Sequence, residues 1–353
     1  MQKASEKKAD PHYEWITHRY YQEVLLPGVS RTFALTIPEL PAELRDTVTN
    51  AYLLCRIADT LEDHSALPAD EKRDLFLALT HAIRGDEPAA ELAKRMEAAV
   101  IAFAPVAERD LVSALERVVA VTHGLPDAHR IAVTRCVTVM GEGMARFQET
   151  KSPTGLPNRA AFDDYCYRVA GVVGEMLTDL FCMEIPEMEE RRGDLMPLGR
   201  DFGLGLQATN ILKDVWSDRE NGVCWLPRDV FEAAGCQLEE DGDWHADPAF
   251  RAGMRQCVGL AARRLDSARD YILAVPRRET GIRRFCAWAA TMAYATLRRI
   301  HRRPGFNHTE QVKIPRRQVR RLARWSARGA KRDWIMRGVL TVSGRWLPRP
   351  PQE

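Results

Sequence analysis

The 353-residue sequence sets 51 Lys and Arg against 49 Asp and Glu, a net charge of +2, with 45% hydrophobic residues. That length and apolar content can bury a large core, and the balanced charge argues against a general nucleic-acid-binding role. No run approaches the ~20 apolar residues of a membrane span, and the first fifteen residues lack the apolar segment of a secretory signal. A cytoplasmic protein, at most peripheral at the cytoplasmic membrane, is expected.

Period and punctuation predict an all-α bundle. No Gly/Ser-rich or Pro-rich linker divides the chain, so one domain over 1–353 is expected. A polar arm leads to a first helix at about 11–26, stopped by Pro27-Gly28. Ser30-Arg31 then precedes an apolar stretch, a natural place for a helix N-cap and a phosphate contact. Helices are predicted next at about 42–63, 69–84, 89–122, 127–150, 159–183, 194–218, 249–274, 279–302 and 315–335.

Two of these helices carry acidic faces. On the first, Tyr52, Arg56, Asp59 and Asp63 fall within about 60° of arc. On the second, Gln207, Asn210, Asp214 and Asp218 share a face about 80° wide. Acidic pairs at this spacing are usually solvated surface. Here, however, Asp59, Glu62 and Asp63 crowd together without a lysine at the end of an apolar helix. Two such faces opposite one another would wall a cavity with carboxylates. Mg²⁺ suits it, because it prefers one or two carboxylates plus phosphate oxygens to an all-protein cage.

Between the two faces, 162–181 sets Tyr165 in line with Val169, Val172 and Met176, and Gly171 and Gly174 thin one side. Helical glycine costs about 1 kcal/mol relative to alanine, which either close helix packing or room for a ligand would offset. The glycines of 199–205 follow no strand and do not make a dinucleotide-binding fingerprint. Residues 313–332 are strongly basic. They are either a solvated Arg-rich helix or a surface drawn to an anionic membrane or a phosphorylated ligand. The eight cysteines form no C-x-x-C and no zinc spacing, so buried reduced thiols are expected.

Four strings in order, SRTF (30–33), DTLED (59–63), YCYRVAGVVGEML (165–177) and QATNILKDVWSD (207–218), resemble the squalene and phytoene synthase family of head-to-head prenyltransferases. The resemblance implies an all-α isoprenoid synthase bundle with a central cavity. It also implies Mg²⁺-dependent condensation of two allylic diphosphates through a cyclopropyl diphosphate. Asp59, Glu62 and Asp63 match the family's first metal motif. Asp214 and Asp218 match the second, completed by Gln207 and Asn210. Ser30, Arg31 and Arg56 match phosphate contacts, Tyr52 a tyrosine beside the first diphosphate, and Tyr165 the tyrosine that steers the carbocation or assists proton loss. Lys213 stands where the family usually has Arg, keeping the charge without the bidentate geometry, and Ser217 stands where Glu is usual.

Residues 283–300, with Phe285 and Cys286 at the matching place, resemble the segment that closes the cavity in the squalene synthase branch. Residues 310–318 resemble that branch's NADPH-contacting flap. Lys313 matches directly, while Pro315 takes an Arg position that only Arg316 could fill. The branch resemblance implies farnesyl diphosphate as substrate, presqualene diphosphate as intermediate, and NADPH-dependent reduction to squalene for sterol or hopanoid synthesis. Arg31, Arg56 and Lys213 would join Lys313 and Arg316 at the cofactor. The basic flap and helix span about 304–335, and peripheral membrane contact would serve product release. Phytoene or dehydrosqualene synthesis without reduction is the alternative, and a non-catalytic binding or assembly factor of the same fold a second one.

Overall fold

The computed structural model describes residues 11–30, 33–63 and 67–349, with side chains from Arg19 onward. Among the described residues there is no strand, only an isolated bridge between Leu156 and Pro227. The chain divides into two compact units, Met1–Pro38 with Ala42–Gly141, and Glu39–Pro41 with Glu142–Glu353.

The first unit holds α1 (Pro11–Val29), α2 (Phe33–Thr36), α3 (Ala42–Glu62), α4 (Ala69–Arg84), α5 (Ala89–Val100), α6 (Val106–Ser113) and α7 (Leu115–Gly124). It also holds the first turns of α8 (Asp127–Thr150). α1 runs on through Pro27 and Gly28, past the expected stop. The helix expected over 89–122 is three helices. Pro105 has no N–H to continue the first, and Ala114, at φ −89° and ψ 3°, turns the chain between the other two. The core of this unit is pinned by a saturated polar network. The fully buried Asn50 amide donates to Gln22 Oε1 at 2.9 Å and to the Val118 carbonyl at 2.8 Å, and its oxygen accepts from Thr122 at 2.9 Å. A buried amide left unpaired would cost about 1–3 kcal/mol, so this network fixes α3 against α1 and α7 in one register.

The second unit is built on α12 (Arg192–Glu220), against which α10 (Val172–Glu184), α14 (Pro248–Ala274) and α15 (Thr280–Arg302) pack. α9 (Arg159–Cys166) reaches α10 through a π-helical turn, Tyr167–Gly171, where one uninterrupted helix is expected from the sequence. α11 (Pro186–Glu189) and α13 (Arg228–Ala233) are short connectors. The helix expected over 315–335 is two, α16 (Arg316–Gly329) and α17 (Asp333–Gly344), parted at Ala330–Arg332. Glycines bring α10 onto α12. A Cβ on Gly174 would lie 2.8 Å from the Gly199 carbonyl carbon, and one on Gly199 would lie 2.9 Å from the Gly174 oxygen. Close packing is therefore what offsets these helical glycines. α17 is latched by Asp333, which pairs with Arg277 at 2.6 Å and with the fully buried Arg283 at 2.7 Å. Seven of the eight cysteines are buried and all are free.

Candidate active site

In the first unit the acidic face forms at the C-terminal end of α3. Leu53, Leu54, Ile57 and Leu61 are buried and leave Tyr52, Arg56, Asp59 and Asp63 on the other side. The helix is held open-ended by Lys72 of α4, whose buried ammonium donates to the Glu62 carbonyl at 2.6 Å. A cation at a helix C-terminus satisfies an orphan carbonyl and opposes the negative end of the dipole. Asp63 continues the last turn through its N–H to the Asp59 carbonyl, 2.9 Å. Asp59 keeps 35% of its side chain open, yet burial of the carboxyl, helped by the like charge of Asp63, pushes its pKa up to about 7 against the pull of Arg56.

Arg56 lies 3.6 Å from Asp59 and also pairs with Glu108 of α6, while its buried Nε has no hydrogen-bond partner among the described residues. Glu108 is missing from the sequence reading because it lies just after the Pro105 break, in what looks like the middle of a long helix. Tyr52 is half-buried. Its hydroxyl donates to the Val29 carbonyl at 3.2 Å and its ring centroid is 5.2 Å from that of Phe33, so it buttresses the turn into α2. Burial raises its pKa. Ser30 takes the capping place expected of it, accepting from the Phe33 N–H at 2.9 Å. Arg31 lies outside the described residues.

The second acidic face lies on the last turns of α12. Asn210 is exposed; Gln207, Asp214 and Asp218 are half-buried. Lys213 reaches Asp214 at 3.1 Å and Asn210 Oδ1 at 3.5 Å, and exposed Ser217 folds back onto the Asp214 carbonyl at 2.8 Å. The helix stops at Gly222, whose φ of 75° permits two closing bonds, Gly222 N–H to Arg219 O and Val223 N–H to Asp218 O. Arg219 anchors the same turn. Its guanidinium sits 3.9 Å over the Trp244 ring and donates to the Gly242 carbonyl at 2.7 Å.

Two further features gather in this unit. Tyr165 is buried and stacks on Trp225, centroids 4.0 Å apart at 9°, with Phe147 edge-on at 5.2 Å. Phe285 is likewise buried, on α15. The segment before α16 reaches the second acidic face, because the Thr309 hydroxyl donates to the Lys213 carbonyl at 3.2 Å. Just beyond, Val312 is buried, Lys313 pairs with Glu310 at 2.6 Å, and Arg316 is exposed. An open cleft of about 320 Å³, lined by Tyr167, Arg200, Asp201, Leu204 and Arg264, lies elsewhere in the unit, its Arg264 bridging Asp163 and Asp201.

Among the described residues, no three His, Cys, Asp or Glu side chains converge to hold a metal ion alone. The donor set nonetheless fits Mg²⁺. Each acidic face offers hard carboxylate oxygens one turn apart, and a divalent cation there would offset the burial and like-charge penalties on the Asp59 carboxylate. The remaining coordination would come from water or phosphate oxygens.

The helical fold of the described residues is shared with solved structures. TcSQS in complex with the ligand BPH1237 matches 93% of this chain and 91% of its own, with a TM-score of 0.73 at 24% identity. A dehydrosqualene synthase in complex with ligand matches 90% and 98%, with a TM-score of 0.62 at 22% identity. The chain belongs to the squalene/phytoene synthase family, whose sequence profile matches residues 26–318. Among curated relatives, a squalene synthase of Mycosarcoma maydis is 29% identical over 297 residues, 78% of this chain and 49% of that protein. The chain spans between half and two thirds of the length of such relatives. Among the described residues, no helix is long and apolar enough to cross a membrane.

Proposed function

We propose that the protein condenses two farnesyl diphosphates head-to-head into presqualene diphosphate and then reduces this to squalene with NADPH. Asp59, Asp63 and Glu62 on one face, and Asp214, Asp218 and Asn210 on the other, would hold the Mg²⁺ ions. Bound there, Mg²⁺ supplies the positive charge that lets an allylic diphosphate leave. Arg56 contributes a fixed cation to that end of the reaction, oriented by Glu108, and Lys213 contributes one beside Asp214. Ser30, Arg31, Tyr52 and Gln207 orient the diphosphates. Tyr165, its ring held flat by Trp225, offers a π face to positive charge and a hydroxyl for proton handling. Phe285 belongs to the apolar wall.

The observation that carries the reductive branch is the Thr309 bond to the Lys213 carbonyl, which ties the basic flap to the helix of the second acidic face. Lys313 and Arg316, with Arg31, Arg56 and Lys213, would hold the phosphates of NADPH, which supplies the hydride. The flap residues exclude the water that would otherwise capture the rearranged cation. Pro315, where an arginine would complete the flap, favours a second reading in which the product is dehydrosqualene or phytoene. Incubation with farnesyl or geranylgeranyl diphosphate and Mg²⁺, with and without NADPH, separates them by product mass. Squalene formed only with NADPH supports the proposal. Dehydrosqualene or phytoene as sole product at saturating NADPH refutes the reductive branch, and no turnover with either substrate refutes the enzyme reading in favour of a binding factor.

A further inference from the structure

We infer that the outer surface of α16 and α17 docks the protein onto an anionic phospholipid bilayer. In α16, Arg317, Arg320, Arg321, Arg324 and Arg328 fall within about 100° of helical arc. All five are exposed, while Val319, Leu322, Ala323, Ser326 and Gly329 turn inward on the opposite side. Among the described residues none of the five arginines makes an ion pair, and 311–332 contains no carboxylate. Surface arginines with structural work hold carboxylates elsewhere in this protein, as Arg192, Arg264, Arg278 and Arg349 do. A helix that keeps five cations without carboxylate partners on one side is matched by charge to a dense anionic surface.

The aromatic residues specify which surface. Trp325 edges the arginine arc with 47% of its area open, and Trp334 of α17 and Trp346 just beyond it are 73% and 72% open. Arg328 lies 5.5 Å over the Trp325 ring and Arg345 lies 4.6 Å over that of Trp346. Trp346 is also the one non-glycine among the described residues with positive φ, at 72°. Non-glycine residues rarely adopt that left-handed conformation, and a bulky one is strained there. Here the strained turn presents an indole to solvent while Leu347 beside it is buried. Indoles flanked by arginine are the composition of a bilayer interface, where the ring lies among headgroups and the cation pairs with lipid phosphate. Because the apolar side of α16 is already packed into the protein, attachment rests on charge and on the indoles, and is reversible by salt.

The test is co-sedimentation of the full chain, without substrate, with phosphatidylcholine vesicles and with vesicles containing about 30% phosphatidylglycerol, at about 0.1 M and 0.5 M salt. The expected result is at least tenfold stronger partition to the anionic vesicles, lost at the higher salt. Arg320→Gln, Arg321→Gln and Arg324→Gln together should lower partition roughly a hundredfold, at about fivefold per cation. Trp325→Ala with Trp334→Ala should lower it several-fold without changing the salt sensitivity. Circular dichroism melting establishes that each variant is folded. The inference is overturned by no partition at low salt, by equal partition to neutral vesicles, or by an undiminished folded triple variant. It is equally overturned by an arginine-dependent affinity for single-stranded RNA with none for vesicles. None of these outcomes depends on which prenyl product the protein makes.

Discussion

Gly174→Ala is the sharpest perturbation of the helix that carries Asp214. The added methyl carbon would stand 2.8 Å from the Gly199 carbonyl carbon and closer still to its oxygen, where ordinary contact begins at 3.4 Å. α10 and α12 must therefore part by at least 0.6 Å, and backbone on both sides leaves no side chain to swing away. Overpacking of this kind costs about 1–3 kcal/mol and sits at the upper end against rigid backbone. Alanine returns about 1 kcal/mol of helix propensity, leaving a net loss of about 2 kcal/mol. At roughly 2–4 °C per kcal/mol, thermal unfolding should fall by about 4–8 °C. Gly193→Ala in α12 is the control. Nothing lies within 4 Å of its added carbon, so it should keep its propensity gain and melt at or above the parent temperature. Equal melting of the two variants would refute the claim that glycine contact sets the α10–α12 spacing. In the surviving fraction of Gly174→Ala, turnover should drop more than substrate affinity, because α12 carries its carboxylates along when it shifts.

Asp59→Asn should abolish most prenyl-transfer turnover, by about 10²–10³, since a lost electrostatic contact to a leaving group commonly costs that much. Without metal it should be the more stable protein at pH 8. The raised pKa means the folded carboxyl is penalised as pH climbs from the usual 3.8 to about 7. That gap corresponds to about 4 kcal/mol, cut to about 1–2 by the open third of the side chain. The advantage should shrink by more than half at pH 5, and a melting difference that grows on acidification would contradict the assignment. Asp333→Ala leaves the buried Arg283 without its carboxylate and should cost about 3 kcal/mol by urea unfolding. Arg277 and Arg283 hold the Asp333 pKa below its usual value, so this latch is intact above about pH 4 and is lost as pH falls through the lowered value. Tyr165→Phe should keep the stack on Trp225 and substrate affinity but slow conversion of the cyclopropyl intermediate about 10²-fold, and an unchanged rate and product profile would return the residue to packing. Lys313→Ala should raise the NADPH requirement and leave the first condensation alone; a parallel loss in both half-reactions would disprove the flap assignment.

Much of the architecture is legible where period and punctuation agree. α3, α12, α14 and α15 end within two residues of their expected limits, because Pro41, Gly222, Pro248 and Pro304 bracket clear apolar stripes. The errors fall where exposed apolar residues mimic a core stripe. Ile101, Phe103 and Val106 read as the middle of a long helix yet lie at the surface around the Pro105 break, which is why Glu108 is missed as the partner of Arg56. α17 hides behind the basic run for a similar reason, with Trp334 and Val342 exposed. The π-helical turn has no signature in composition. It depends on Ala170 and Gly171 meeting Gly203 and Leu204 of α12, a tertiary contact.

The eight residues from Asp218 to Trp225 act as a ruler. Gly222 ends the acidic helix, and the strand-like segment after it is laced to 152–156 by bonds of 2.9 Å from Cys224 to Ser152, Leu156 to Leu226 and Arg228 to Leu156. Gly155 admits the lacing, since a side chain there would come within 2.6 Å of the Leu226 oxygen. Trp225, the ring on which Tyr165 lies, is thereby delivered at a set distance from the last carboxylate. Adding or deleting one residue in that interval would move aromatic wall and carboxylate relative to each other. Variation in length among related chains should therefore be excluded from this interval.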